Sequence, residues 1–220
     1  MSLISGDNFA NSDTLSAEYT FCNLFYNWTN LISAENLVLP ATTLAYKCYQ
    51  YMFYGCTGLT TAPALPATTL ANFCYQYMFY GCTGLTTAPE LPATTLTSYC
   101  YQNMFNGCTS LTTVPTILPA TTLTNSCYQN MFNGCTSLTT APELPATTLV
   151  TYCYDNMFNG CTNLNYIKAM FITMPSSTYT YKWVGGVAAS GTFVKNSAAE
   201  WNATGATWIP SGWTVETASA

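Results

Sequence analysis

A period of 26 residues runs through the middle of the chain and constrains the fold more than any other feature. One unit reads Leu65-Pro-Ala-Thr-Thr-Leu-Ala-Asn-Phe-Cys-Tyr-Gln-Tyr-Met-Phe-Tyr-Gly-Cys-Thr-Gly-Leu-Thr-Thr-Ala-Pro-Glu90, and further copies begin at Leu39, Leu91, Leu118 and Leu144. The copy from Leu91 is one residue longer, because Val114-Pro-Thr-Ile-Leu-Pro stands where its neighbours have Ala-Pro-Glu-Leu-Pro. A degenerate copy precedes them, in which Leu24-Phe-Tyr-Asn-Trp-Thr-Asn-Leu31 matches Met52-Phe-Tyr-Gly-Cys-Thr-Gly-Leu59. Units of this length cannot bury an apolar face alone, so neighbours stack to complete a core. A propeller blade needs about 40 residues or more. The period therefore points to a stack of six leucine-rich-type coils.

Within a coil, Leu85-Thr-Thr-Ala-Pro89 reads as a short strand closed by a proline that cannot donate to a central ladder. Parallel strands from successive coils would form one sheet. Cys74, Met78 and Cys82 recur at a spacing of four, which predicts a short helical turn with these side chains inward and Tyr75 and Phe79 beside them. Gln76, Tyr77 and Tyr80 then fall on the solvated side. Gly81 lets the chain leave the turn.

The charge pattern excludes several functions. Four lysines, no arginine, no histidine and nine carboxylates give a net charge of −5. Lys47, Lys168, Lys182 and Lys195 form no basic cluster, so a nucleic-acid partner is excluded. Without histidine, catalytic triads and zinc sites of the usual kinds cannot be built. Glu90 and Glu143 sit two coils apart and form no close carboxylate pair, and Asp155 stands alone in the place of a glutamine. No catalytic constellation, metal site or cofactor site is expected. No run of 18 apolar residues occurs, so no membrane-inserted helix is expected.

Ten of the eleven cysteines form a ladder of pairs, Cys48/Cys56 through Cys153/Cys161, with seven residues between partners. Cys-x-x-Cys knuckles are absent. Partners eight apart on a helical turn would sit roughly 12 Å from one another, too far for a disulfide. Cysteines stacked in one column have parallel side-chain vectors that suit a bridge poorly. Buried free thiols are expected, each acting as a small apolar residue able to touch turn backbone. Cys22 lies off the ladder.

The units resemble those of the BspA-like leucine-rich-repeat surface proteins of gut Bacteroidetes. The residues that carry the likeness are Cys82-Thr-Gly-Leu85-Thr-Thr-Ala88, Leu91-Pro92 and Met104-Phe105-Asn-Gly-Cys108, within roughly 20–168. The tail is similar through Trp183-Val-Gly-Gly-Val-Ala-Ala-Ser-Gly-Thr-Phe-Val-Lys195 and Ile209-Pro-Ser-Gly-Trp-Thr-Val215. The resemblance implies a right-handed leucine-rich-repeat solenoid with short parallel strands and short helical turns, capped at both ends. It also implies display on a cell surface or secretion, for adhesion or binding. Such proteins are exported, and Met1-Ser-Leu-Ile-Ser-Gly-Asp lacks the basic start and sustained apolar run of a leader, so Met1 is expected to be an internal methionine and the chain the C-terminal part of a longer polypeptide. A phage-fibre element is the alternative, in which the repeats set reach. By the same resemblance, Asp13-Thr14-Leu15 would be an O-glycan acceptor.

Three segments are expected: an N-terminal cap with the degenerate first coil (1–30), the repeat stack (31–168) and a C-terminal cap (169–220). Trp28 replaces a ladder cysteine and would cover the first coil. Trp183, Trp201, Trp208 and Trp213 would form capping core rather than a carbohydrate platform. Residues 177–187 are expected to be partly helical, with strands at 191–195 and 213–217.

Outward positions vary where inward ones do not. One column reads Tyr51, Tyr77, Asn103, Asn130, Asn156 and a second Tyr54, Tyr80, Asn106, Asn133, Asn159. Tyrosine faces and asparagine amides suit a host or bacterial surface protein or a glycan. Uncharged solvated surface is the other reading of the same columns. Threonine doublets such as Thr60/Thr61 and Thr86/Thr87 suit strands, and adjacent strand residues point to opposite faces, which argues against an ice-matching array.

Overall fold

A computed structural model describes residues 12–218. Residues 1–11 of the expected N-terminal cap lie outside them. Among the described residues there is no helix, which corrects the helical turns expected at Cys74–Cys82 and within 177–187.

A chain of β-turns takes the place of each helical turn. In the repeat containing Cys48–Cys56, the N–H groups of Cys48, Gln50, Met52, Tyr54 and Cys56 each donate three residues back, at 3.1–3.3 Å. The alternate groups Tyr49, Tyr51, Phe53 and Gly55 donate to Cys74, Gln76, Met78 and Tyr80 of the next repeat, at 2.8–3.1 Å. Half of the backbone donors thus close turns and half join repeats, so none is left over. Every fourth residue is left-handed: Lys47 at φ 54°, Tyr51 at 57° and Gly55 at 68°. Each is the third residue of its turn, where a type II turn requires positive φ. The four-residue spacing keeps Cys48, Met52 and Cys56 on one inward side, as a helix would have done.

On the opposite side, repeats are joined by single parallel bridges. One column runs Thr14–Thr43–Thr69–Thr95–Thr122 and another Ser33–Thr61–Thr87–Thr113. Both members of Thr60/Thr61 and of Thr86/Thr87 are exposed, contrary to the expected alternation, because a one-residue bridge imposes no pleat. Among the described residues, extended strands form only near the C-terminus. There β1 (Tyr166–Ala169), β2 (Thr192–Lys195) and β3 (Thr214–Thr217) make a parallel sheet in the order β1-β2-β3. The last two are the strands anticipated at 191–195 and 213–217.

Identical side chains from successive repeats stack to make the core. Tyr49, Tyr75, Tyr101, Tyr128 and Tyr154 form one column with centroids 5.6–6.0 Å apart. Phe25, Phe53, Phe79, Phe105, Phe132 and Phe158 form another at 5.2–5.7 Å. Trp183 lies 6.2 Å from both Tyr154 and Phe158 and closes the two columns. The cysteines are all free, and ten are buried. The second thiol of each pair donates to a phenylalanine carbonyl one repeat back, as in Cys82 Sγ to Phe53 O at 3.0 Å and Cys108 Sγ to Phe79 O at 3.1 Å.

Gln76 is buried, not solvated. Gln50, Gln76, Gln102 and Gln129 each donate their amide N–H to the side chain one repeat on, and the series ends on Asp155. Asp155 is therefore the terminus of a ladder rather than an isolated carboxylate.

The left-handed positions continue to Lys182 and Gly186. The four C-terminal indoles donate to backbone carbonyls 25 to 33 residues away, among them Trp183 to Trp208 O and Trp213 to Ala188 O, each at 2.8 Å. Lys195 is buried, and its ammonium uses its three protons on Ala199 O, Trp201 O and Asn202 Oδ1 at 2.7–3.0 Å. Trp28 is 52% exposed and leans on Phe25 instead of covering the first repeat.

Candidate binding face

The two outward columns lie on the turn side of the repeats. Tyr51, Tyr77, Asn103, Asn130 and Asn156 occupy left-handed backbone at φ 51–57°. Asparagine enters that region readily because its short amide bonds locally, so the three asparagines have a backbone reason to be there. Tyrosine has none. A bulky side chain at positive φ costs on the order of 1–3 kcal/mol, and Tyr51 and Tyr77 carry it, as do Tyr19, Phe73, Tyr99 and Tyr152 at the preceding left-handed position.

Stacking offsets part of this. The rings of Tyr51 and Tyr77 lie 4.9 Å apart at 12°. In the second column Tyr54 stacks on Tyr80 at 4.8 Å and 3°, and Tyr26 on Tyr54 at 4.8 Å and 4°. Such pairs contribute roughly 0.5–1.5 kcal/mol each beyond burial. The columns also meet edge to face, with Tyr51 and Tyr54 5.8 Å apart at 61°. Burial pushes the phenols of Tyr51, Tyr54 and Tyr77 up from their ordinary value, so they present hydroxyl donors.

This geometry changes what the face offers. The tyrosine faces expected to receive a ligand are covered by one another, and the surface is a ribbed block of ring edges and hydroxyls. Tyr26 extends the block by one repeat. The match of Leu24–Leu31 to Met52–Leu59 already set Tyr26 opposite Tyr54, so the signal was in the sequence.

The asparagine half is less open than anticipated. Asn103 is buried, and its Oδ1 accepts from Asn106 Nδ2 at 2.9 Å. Asn133 donates likewise to Asn130, at 3.4 Å. Asn106, Asn130, Asn133, Asn156 and Asn159 are half-buried. The amides are thus partly occupied with each other.

A second aromatic patch went unpredicted. Lys47 Nζ sits 5.2–5.5 Å from the ring centroids of Tyr19, Tyr46 and Phe73, and Phe73 stacks on Tyr99 at 4.7 Å. These residues vary in type between repeats, and no column of like residues marked them. No group of His, Cys, Asp and Glu side chains able to hold a metal occurs among the described residues.

The family model described as BspA type leucine rich repeat region matches residues 21–165 in six copies. No curated protein matches the chain.

Proposed function

Because the chain belongs to the BspA-type leucine-rich repeat family, we propose that it is a non-enzymatic binding module: a right-handed solenoid, capped at both ends, displayed on a bacterial cell surface or secreted. Repeats of this family are typically interaction modules rather than enzymes. The partner is a host or bacterial surface protein, engaged through the tyrosine block of Tyr26, Tyr51, Tyr54, Tyr77 and Tyr80 and the flanking asparagines. An origin in Bacteroidetes, and a place near the C-terminus of a longer protein, belong to the same reading.

One observation supports it above the others. Tyr51 and Tyr77 hold left-handed backbone where the later repeats of their own column use asparagine, and with Tyr26, Tyr54 and Tyr80 they build a rigid block of stacked rings. Rigid tyrosine is the residue type that interfaces favour, since little side-chain entropy is lost on binding. Covered ring faces favour a protein over a sugar at this face.

The test is binding of the chain to immobilised extracellular-matrix and bacterial surface proteins, beside a variant with Tyr51, Tyr54, Tyr77 and Tyr80 changed to Asn. Relief of backbone strain and loss of stacking oppose one another, so the melting temperature is expected to move little. Saturable binding lost in the variant supports the reading. Equal binding by both proteins, or none by either, overturns it and leaves a spacer whose repeats set reach.

A further inference from the structure

The one extra residue in the repeat beginning at Leu91 has a structural consequence away from the tyrosine block. Bridges join Thr61 to Thr87 and Thr87 to Thr113, yet among the described residues none joins Thr113 to Thr140. Pairing resumes instead at Ile117 with Glu143, where Glu143 N donates to Thr116 O at 2.9 Å and Leu118 N to Glu143 O at 3.0 Å. Between the two levels the repeats part. A cleft of about 430 Å³ opens there, lined by Thr113, Thr116, Thr140, Glu143, Tyr166 and Lys168 over an apolar floor of Val114 and Pro115. That is within the size range of ligand sites, roughly 300–1,000 Å³.

The chemistry of the cleft is mixed and neutral. Lys168 Nζ and Glu143 Oε2 are 3.0 Å apart and each about one-third exposed, so their charges cancel while spare protons and lone pairs remain. Tyr166 and Lys168 are alternate residues of β1 and share its outward side. The broken ladder adds the N–H of Val114 and the carbonyl of Thr140, neither of which has a hydrogen-bond partner among the described residues. Donors, acceptors, hydroxyls and one aromatic ring thus surround a small concave space with no net charge.

We infer that this cleft binds a neutral sugar ring, with the Tyr166 ring against its C–H face and the threonine hydroxyls and the Glu143–Lys168 pair on its hydroxyls. A sugar matches because its hydroxyls both donate and accept and one of its faces is apolar. An anion or a cation would meet an already neutralised pair. The site is independent of the tyrosine block.

Saturation-transfer NMR with methyl glycosides of glucose, galactose, mannose and N-acetylglucosamine tests it on the full chain. At least one glycoside is expected to give a saturable signal with the unaltered protein. Tyr166→Ala is expected to weaken it at least tenfold. Deleting Thr116 returns the repeat to 26 residues, and is expected to join Thr113 to Thr140, close the cleft and abolish the signal. Circular dichroism checks that the deletion folds, and Lys168→Met with Glu143→Gln serves if it does not. The variant with Tyr51, Tyr54, Tyr77 and Tyr80 changed to Asn should keep its sugar signal even if it loses protein binding. Absence of signal from all four glycosides overturns the inference. So does a signal that survives Tyr166→Ala and the cleft variant, or one lost with the tyrosine block.

Discussion

Gln129 Nε2 donates to Asp155 Oδ2 at 2.9 Å, and this single contact sets the direction of three others. A carboxylate only accepts, so Gln129 must turn its N–H₂ toward Asp155 and its oxygen toward Gln102. The same constraint passes back through Gln76 to Gln50, and every amide in the column points the same way. Asp155→Leu removes the terminal acceptor and leaves a buried donor unpaired, which should lower stability by roughly 1–3 kcal/mol. Asp155→Asn keeps an acceptor oxygen and should lose less. Urea denaturation of the two variants checks this, and equal losses would contradict the ladder as the cause.

The tyrosine column of the core predicts the opposite sign. The hydroxyls of Tyr101 and Tyr128 are buried and have no partner among the described residues, although their rings are fully packed. Removing an unpaired buried hydroxyl while keeping the ring relieves a desolvation penalty. Tyr101→Phe and Tyr128→Phe should therefore leave stability unchanged or raise it by up to about 1 kcal/mol each. A clear loss of stability in thermal melts would mean that these hydroxyls are hydrogen-bonded in solution.

The repeat, the inward columns and the parallel stacking were legible because identical residues 26 apart must lie over one another. The local backbone is ambiguous in the sequence for a physical reason. A spacing of four puts Cys74, Met78 and Cys82 on one side both of a helix and of a turn chain whose every fourth residue is left-handed. What separates the two is the pair at Asn103 and Gly107, repeated at Asn130 and Gly134, since these residue types tolerate positive φ and disfavour helix interiors. Gln76 reads as surface when considered as a single residue, whereas a glutamine repeated in register can satisfy its amide on its own copy. The same logic covers the tyrosine faces. The cleft beside Tyr166 was foreshadowed only by the extra residue after Val114, because its opening depends on which bridge fails.

Thiol reactivity separates Cys22 from the rest. It alone is half-buried, and burial raises its thiol against the opposing charge of Lys47, while deeper burial pushes the thiols of Cys48, Cys100, Cys153 and Cys161 up to about 12. The thiolate is the reacting form, so those groups are inert near neutral pH. Native labelling with a thiol reagent at about pH 8 should modify Cys22 with a fast phase, and the other ten only after denaturation. Cys22→Ser should abolish the fast phase. Rapid modification of several thiols in the folded protein would show that the columns open readily.

The same thiols predict how stability depends on pH. Their ordinary value is 9.0 and their folded value is about 12 for Cys48, Cys100, Cys153 and Cys161, because burial disfavours the charged form. Between those values the unfolded chain releases protons that the folded chain retains, so the unfolded state gains as pH rises. The stabilisation is fully present below about pH 9 and is lost upward through about pH 12. By about pH 11 each such thiol would have withdrawn roughly 2–3 kcal/mol, and four together approach the ~5–15 kcal/mol total typical of a domain. Buried Tyr49, Tyr75, Tyr101, Tyr128 and Tyr154, also pushed up by burial, add to the trend. Melting temperatures should thus be flat from about pH 6 to pH 8 and fall steeply above about pH 9.5, with cooperative alkaline unfolding before about pH 12. Cys100→Ala should make the fall shallower even though it lowers stability at neutral pH. A melting temperature near pH 10.5 equal to that near pH 7 would show that the thiols are not desolvated as their burial requires.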